Sequence, residues 1–331
     1  MIKKFLALIL VFSICIMCGC TGYREGDNSF VVSAMGFHKV DDSYMIFIEA
    51  VTANEAESEL KEETFKASGK TLETALYSLK NEIYKPLSFQ HCSVILVSPS
   101  IEGDDFKSVV TFCKNIEGLN TSIYFAAAEE VEKIISAKAI SEAAGGYDIS
   151  SLIESRAGED GIKYKNRLYE ILSATDEFIP TLYLPYLNWD DDKIKGNGEL
   201  VYTHFYSQKK LGLDASFILS VITNRYGKGE VILMGETAEI QDSHTYFSAE
   251  EKDGRLYIEL KTKFRFKSKS EGFLRKFNKE ATSLLKSRKD IFGFSKILNQ
   301  KNPKEFEKIK SDYDKFYEKA HIVLKIEEEL F

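Results

Sequence analysis

Three cysteines stand close together near the start of the chain, at Cys15, Cys18 and Cys20 in the stretch SICIMCGC. Thiols at such short spacing can ligate zinc, form a redox pair or act as nucleophiles toward an added group. These three end an apolar run, and no second cluster of metal-ligating residues follows nearby, which argues against the zinc and redox interpretations. Their position therefore indicates processing of the N-terminus.

The surroundings of these cysteines match a secretory signal. Two lysines lie near the start of the chain, and an apolar run of 14 residues follows from residue 5 to residue 18. A membrane-spanning helix needs roughly 20 apolar residues, so this run is too short for a span but suits the central region of a signal peptide. The alternative is an uncleaved signal anchor whose cysteines are ordinary small apolar residues.

The sequence MCGC at residues 17–20 resembles the lipobox of bacterial lipoproteins. In that motif small residues precede a cysteine whose sulfur accepts a diacylglyceryl group, and the resemblance implies cleavage between Gly19 and Cys20. We therefore predict a cleaved signal peptide over residues 1–19, lipid attachment at Cys20, and a lipidated N-terminus and linker over residues 20–29. Two or three acyl chains would hold the protein firmly, because each buried methylene adds about 0.8 kcal/mol.

The composition describes an acidic chain with enough apolar residues to build a sizeable core. The 331 residues carry a net charge of −7, which becomes −9 without the two lysines of residues 1–19, and 44% of the residues are apolar. An acidic surface argues against nucleic acid as a partner and against general lipid binding by the protein surface. Cys92 precedes a strand pattern and Cys113 lies in a helix pattern, which favours buried free thiols over a disulfide.

Strand and helix patterns alternate along the chain, which predicts a mixed α/β (α+β) fold of two to three domains, with mixed or antiparallel sheets and packed helices. We predict an N-terminal α/β domain over residues 30–187, for which a division into two domains stays open. A linker over residues 188–198 then leads to a C-terminal α/β domain over residues 199–331. Residues 30–37 and 44–52 predict an antiparallel pair across the turn KVDDS. The closing pattern HIVLKIEE predicts a core strand in which Val323 is buried.

The sequence offers few of the residue sets that catalysis or metal binding requires. Asp190 and Asp192 have the first spacing of a calcium loop, but Ile194 occupies the third ligand position and no bidentate glutamate follows. The chain has no GxSxG, HExxH or P-loop motif. The histidines are scattered, at His38, His91, His204, His244 and His321. We therefore expect a protein that is not an enzyme, with no catalytic residues, no metal and no cofactor.

Together with the lipobox, four longer stretches resemble the Ger(x)C family, the C-subunit lipoproteins of spore germinant receptors. They are FVVSAMGFHKVDDSYMIFIEA, SFQHCSVILVS, GELVYTHFYSQKKLGLD and the closing KDIFGFSKILNQKNPKEFEKIKSDYDKFYEKAHIVLKIEEE. The last is the most specific, because the turn at residues 290–294, the helix start at Pro303 and the terminal strand follow in family order. Phe306 and Tyr313 occupy positions where the family often has tryptophan, a departure that bears on packing rather than on the fold.

The resemblance implies a non-catalytic lipoprotein subunit of a germinant receptor, which assembles with membrane A and B subunits for nutrient-triggered spore germination. It implies a location on the outer face of the spore's inner membrane, with no small-molecule ligand of its own, because the B subunit is assigned the main sensing role in the family. It also implies a fold of three α/β domains. The alternative is an extracytoplasmic solute-binding lipoprotein, which predicts a deep cleft with convergent polar groups.

Overall fold

The computed structural model describes residues 29–54, 59–137, 145–159 and 161–329. These residues form two β-sheets with helices packed on them, which confirms the mixed α/β fold that the sequence predicts. The predicted signal peptide over residues 1–19 and the lipid attachment at Cys20 lie outside the described residues. Within the described ranges no helix is both long and apolar enough to cross a bilayer.

The larger sheet has a parallel centre and antiparallel flanks. Its strands are β1 (Phe30–Val40), β2 (Ser43–Asn54), β3 (Glu59–Gly69), β4 (Leu87–Ser88), β5 (Val94–Val97), β6 (Tyr124–Ala128), β7 (Thr181–Asp190), β8 (Lys193–Thr203) and β9 (Tyr206–Leu211). Strands β1, β5, β6 and β7 run parallel, with β2 and β3 on one side and β8 and β9 on the other. The central strand β5, with the sequence VILV, is buried at every residue because helices cover both faces of a parallel sheet.

Two hairpins of this sheet turn at aspartates. β1 and β2 pair across Asp41 and Asp42, which confirms the predicted antiparallel pair. β7 and β8 pair across Asp191 and Asp192, whose φ angles of 50° and 57° place them in the left-handed region that two-residue hairpins require. Aspartate tolerates this conformation better than most residues because its short side chain bonds locally. The predicted linker over residues 188–198 is therefore wrong, since these residues belong to two paired strands.

The smaller sheet follows chain order. Its strands are β10 (Gly229–Leu233), β11 (Glu236–Lys252), β12 (Arg255–Lys269) and β13 (His321–Glu328). β11 and β12 form a long antiparallel hairpin, and β13 lies parallel to β12 at the edge. Because the larger sheet continues to β9, the predicted C-terminal domain contributes strands to both sheets. The division into domains stays a prediction.

The register of β13 corrects the expectation for Val323. Val323 is 37% exposed, on the outer face of the smaller sheet, whereas Ile322 and Leu324 pack against the core. Successive residues of a strand point to opposite faces, so a single step in register exchanges the buried set for the exposed one. The expectation that Val323 is buried is therefore wrong, although β13 itself contributes to the core through its other face.

The helices pack on three cores. They are α1 (Leu72–Glu82), α2 (Asp104–Asn115), α3 (Val131–Ile135), α4 (Gly145–Glu159), α5 (Leu168–Ala174), α6 (Leu213–Ile222), α7 (Phe273–Leu285), α8 (Phe294–Lys301), α9 (Pro303–Ile309) and α10 (Tyr313–Glu318). Helices α1, α2 and α5 share a core with one face of the larger sheet, and α3 and α4 with the other. The third core joins β7, β8 and β9 to the smaller sheet through α6 to α10.

Both cysteines of the described chain lie in a core. Cys92 and Cys113 are buried and unpaired, which confirms the interpretation of them as free structural thiols. Burial raises the pKa of both thiols above the ordinary cysteine value. Because the thiolate is the reactive form, these side chains are unreactive at neutral pH.

Candidate functional site

The side chains that could do chemistry are dispersed rather than assembled. Within the part of the chain that the structure describes, no group of three or more His, Cys, Asp or Glu side chains could hold a metal ion. The His204 Nε2 atom lies 4.0 Å from an Asp314 carboxylate oxygen, and His244 packs edge-on against Tyr246 with ring centroids 4.6 Å apart. Neither arrangement pairs a nucleophile with a base. The candidate sites are instead the buried carboxylates.

Glu49 on β2 binds the start of a helix. The side chain is 2% exposed, and its carboxylate accepts the backbone N–H groups of Gly145 and Gly146, each at 2.7 Å, and the Ser33 hydroxyl at 2.8 Å. Burial raises the pKa of the Glu49 carboxyl, and the three donors oppose that rise. A Cβ atom on Gly146 would stand 2.3 Å from the Ser33 carbonyl oxygen, so this close approach requires glycine. The carboxylate thus fastens α4 to the larger sheet through the helix N-terminus.

Glu199 on β8 forms a buried ion pair with Arg225, which follows α6. The Arg225 guanidinium donates to both Glu199 oxygens, at 2.5 and 3.0 Å, and the two side chains are 4% and 0% exposed respectively. The guanidinium carbon also lies 3.8 Å from the centroid of the Tyr183 ring on β7. Burial disfavours the charge on Arg225, but the neighbouring carboxylate outweighs burial and raises the pKa of the guanidinium. This pair ties the segment after α6 to the larger sheet.

Asp290 organises the turn that precedes α8. Its buried carboxylate accepts the backbone N–H groups of Phe292, Phe294 and Ser295, at 3.2, 3.0 and 2.8 Å, and the Tyr313 hydroxyl at 2.8 Å. Burial raises the pKa of the Asp290 carboxyl, opposed by these four donors. The turn at residues 290–294 belongs to the stretch whose family resemblance was most specific. The Asp290 carboxylate caps its backbone N–H groups, and the Tyr313 hydroxyl of α10 donates to the same carboxylate.

The Asp290 turn and the Glu199 ion pair meet at β7 and β8. Gly293 has φ 69°, which favours glycine, and the Tyr183 hydroxyl lies 3.5 Å from where a Cβ on Gly293 would stand. The Thr203 hydroxyl on β8 donates to the Asp290 backbone carbonyl at 3.3 Å. We call this set the polar seam; its members are Tyr183, Glu199, Arg225 and Asp290. It joins the larger sheet to the C-terminal elements.

The geometry of these carboxylates suits positioning rather than catalysis. The carboxylates of Glu49, Glu199 and Asp290 each accept at least two hydrogen bonds from within the protein. A general base must instead reach the proton of a substrate. A cavity of about 210 Å³ lies elsewhere, between β9, α6 and α7, and is below the 300–1,000 Å³ typical of ligand pockets.

Sequence reasoning did not single out three of these residues. Glu49 and Glu199 stand in apolar strand patterns, YMIFIEAVT and GELVYTHF, and Arg225 follows the apolar helix pattern ASFILSVI. A charge within an apolar strand is itself a signal, because a buried ionised group must find a partner. The predicted processing residues Gly19 and Cys20 lie outside the described chain and stay predictions.

Comparisons with known proteins agree with this architecture. A family model described as the spore germination protein N-terminal domain matches residues 22–188. Spore germination protein GerQC of Bacillus cereus is 20% identical over 320 residues, covering 96% of this chain and 84% of that protein. Spore germination protein KC of Bacillus subtilis (strain 168) is 19% identical over 374 residues, covering 95% and 92%. The crystal structure of the GerBC protein matches with a TM-score of 0.51 and 13% identity, covering 92% of this chain and 99% of that one.

The chain belongs to the Ger(x)C family of spore germination proteins, the C subunits of germinant receptors, because the family model matches half of it and the relatives run along nearly all of it. The likeness to GerBC shows the shared fold. The family assignment made from the sequence is confirmed. Of the stretches that carried the resemblance, the first forms the hairpin of β1 and β2. The last forms the Asp290 turn, α8 to α10 and β13.

Proposed function

We propose that this chain is a lipid-anchored, non-catalytic subunit of a spore germinant receptor, assembled with membrane A and B subunits at the outer face of the spore's inner membrane. The observation that carries the proposal is the family match over residues 22–188, extended along the chain by two spore germination proteins. The lipobox at residues 17–20 supports the anchor and the location.

The buried carboxylates accept hydrogen bonds from within the protein, which supports a role without catalysis. Glu49, Glu199 and Asp290 join strands to helices, and their oxygens accept hydrogen bonds from the protein itself. A subunit of this kind acts through the surfaces that it presents to neighbouring proteins. Such surfaces need a fixed arrangement, which the polar seam and the three cores provide.

The test is purification of the full chain, carrying an affinity tag, from spore membranes in mild detergent. We expect receptor A and B subunits to co-purify with it in a constant ratio. The Cys20→Ala variant should be released from the membrane, or retained more weakly, in a high-salt wash. Its thermal unfolding midpoint should not change, because residue 20 lies outside the described fold. Recovery of the anchored chain free of both subunits would refute the assembly.

Intact mass tests the anchor separately from the assembly. The proposal requires loss of residues 1–19 and added acyl mass on Cys20. A chain that retains residue 1 and lacks acyl mass would refute the anchor. Calorimetry with amino acids and sugars tests the receptor-scaffold role, because saturable micromolar binding by the isolated chain would instead indicate a solute-binding lipoprotein.

A further inference from the structure

A small cavity with an apolar floor lies where the larger sheet meets the C-terminal helices. It has a volume of about 210 Å³ and is lined by residues of β9, α6 and α7 and of the turn between β9 and α6. Leu211, Ile218 and Leu284 are buried and form its floor. Gly212 and Ser283 also line it and are exposed, so the cavity opens to solvent between the start of α6 and the last turns of α7. We call it the α6–α7 cavity.

The volume of the α6–α7 cavity suits a single aromatic side chain. An apolar cavity of about 150 Å³ inside a protein binds benzene. At about 210 Å³ this cavity has room for a phenyl or phenol ring, whereas pockets for whole small molecules begin at about 300 Å³. Aromatic side chains that fill fitted pockets are the usual anchors of protein–protein interfaces. The volume therefore favours one side chain of a protein partner over a free small molecule.

Lysines border the open side of the cavity. Lys209 of β9 lines the cavity and is exposed. Lys279 and Lys286 of α7 are also exposed, and each lies about one helical turn from Ser283, within about 60° of it around the helix axis. Glu280 contributes a carboxylate to the lining. Three lysines against one glutamate make this border cationic on a chain whose net charge is −7.

We propose that the α6–α7 cavity receives an aromatic side chain from an acidic segment of another receptor subunit. The inference rests on the proposed function, which places this chain in such an assembly. The ring packs on the apolar floor, and carboxylates beside it in the partner's sequence pair with the lysines of the border. Leu213, which follows Gly212 and is 52% exposed, extends the apolar contact outside the cavity. A second copy of this chain fits less well, because two chains of net charge −7 repel each other.

The first test measures the binding of short peptides at the cavity. The mature chain in mild detergent carries Ser283→Cys as a reporter thiol, and Cys92 and Cys113 do not interfere because they are buried. Acetyl-Asp-Phe-Asp-amide should slow the reaction of this thiol with a maleimide, whereas acetyl-Asp-Ala-Asp-amide should not. Acetyl-Lys-Phe-Lys-amide should bind on the order of tenfold more weakly than the acidic phenylalanine peptide, because its charges repel the lysines of the border.

Asn278→Cys is the matched control for the reporter thiol. Asn278 is exposed on the same helix, about 140° around the axis from Ser283, so a peptide in the cavity leaves it uncovered. Its reaction rate should be the same with every peptide. Equal protection of both thiols, or equal protection by the alanine and phenylalanine peptides, would overturn the inference, because the cavity would then not recognise a ring.

Filling the cavity tests its part in assembly. Ala215→Phe places a ring of this chain's own in the space, so receptor subunits should no longer co-purify, while the thermal midpoint stays level or rises. Lys209→Glu changes an exposed charge and leaves the floor intact, and it should weaken the same assembly. The matched controls are Asn278→Phe and Lys70→Glu, which make the same changes at exposed positions away from the cavity and should retain the receptor subunits.

The outcomes separate this inference from the proposed function. If the wild-type chain and Ala215→Phe retain the receptor subunits equally, the inference is overturned and the proposed function stands. Absence of those subunits from the wild-type preparation would refute the proposed assembly, whereas the peptide experiment decides independently whether the cavity takes an aromatic ring from an acidic segment. A wild-type dimer that Ala215→Phe abolishes would also overturn the inference, because the cavity would then hold a second copy of this chain.

Discussion

The buried pair of Glu199 and Arg225 offers the sharpest test of the polar seam. Arg225→Met keeps an unbranched apolar stem of similar reach but removes the guanidinium that donates to both Glu199 oxygens. Glu199 is 0% exposed, so water cannot take the place of the lost donors. The variant therefore leaves a carboxylate without its partner in the interior.

The expected cost follows from that burial. Removing one partner of a buried ion pair destabilises a protein by about 3–5 kcal/mol. The Tyr183 ring, whose centroid lies 3.8 Å from the guanidinium carbon, also loses a cation–π contact worth about 1 kcal/mol. We therefore expect the free energy of unfolding to fall by about 5 kcal/mol, the upper end of the range for a broken buried ion pair. A domain is typically stable by about 5–15 kcal/mol, so this loss is a large share.

Equilibrium unfolding in urea of the detergent-solubilised mature chain measures this loss. The double variant Glu199→Leu with Arg225→Met should recover most of it, because no charge is then left unpaired. Arg255→Met is the matched control, since Arg255 is exposed at the start of β12 and its loss should change stability by less than about 0.5 kcal/mol. A loss below about 1 kcal/mol for Arg225→Met, or a double variant as unstable as the single one, would refute the reasoning.

Two further predictions concern pH and strand register. Burial raises the pKa of the Glu49 carboxyl, so the stability that this group contributes is present at low pH and is lost as pH rises through the raised value. The advantage of the wild type over Glu49→Gln in urea unfolding should therefore narrow as pH rises from about 4 to 8, and a widening gap would contradict the direction of the shift. Val323→Asp should change the thermal midpoint little, because Val323 is 37% exposed, whereas Leu324→Asp should cost about 2 kcal/mol or more; equal effects would contradict the assigned register.

The sequence was sufficient to predict those elements whose start depends on contacts between residues close together in the chain. The opening hairpin follows from two apolar runs and an aspartate-containing turn, and it forms across Asp41 and Asp42. The amino end of α1 shows the same, because Thr71 precedes the apolar stripe and its hydroxyl accepts the Thr74 N–H at 3.2 Å. In both cases the contacts that begin the element join residues three positions apart, Val40 with Ser43 and Thr71 with Thr74.

The errors arose where one residue type supports two structures. Aspartates and glycines suit both a solvated linker and a tight hairpin turn, and only pairing with another strand decides between them. The run NWDDDKIKGNG became a hairpin because β7 and β8 continue on either side of it and pair from Thr181 to Thr203. The expectation for Val323 failed for a different reason. Strand alternation places Ile322, Leu324 and Ile326 on one face and Val323 with charged neighbours on the other, and the expectation did not apply that alternation.

The polar seam could not be predicted because its contacts are distant in sequence. Glu199 and Arg225 are 26 positions apart, and Thr203 and Asp290 are 87 apart. A charge in an apolar strand indicates that a buried partner exists, but nothing local identifies that partner. The Asp290 turn entered the sequence analysis only through family resemblance, and its role as an acceptor for three backbone donors required the structure.

The polar seam has a consequence for a protein proposed to act through contacts. Apolar cores tolerate small changes in packing, whereas a bidentate ion pair holds its members in one relative orientation. Glu199 and Asp290 lie at the junction between the larger sheet and the C-terminal elements that pack on the smaller sheet. A rigid junction fixes the angle at which the larger sheet stands relative to the smaller one. Weakening the Glu199–Arg225 pair should therefore impair assembly with receptor subunits before it unfolds the chain, because a variable angle leaves the contact surfaces misaligned with partners fixed in the same bilayer.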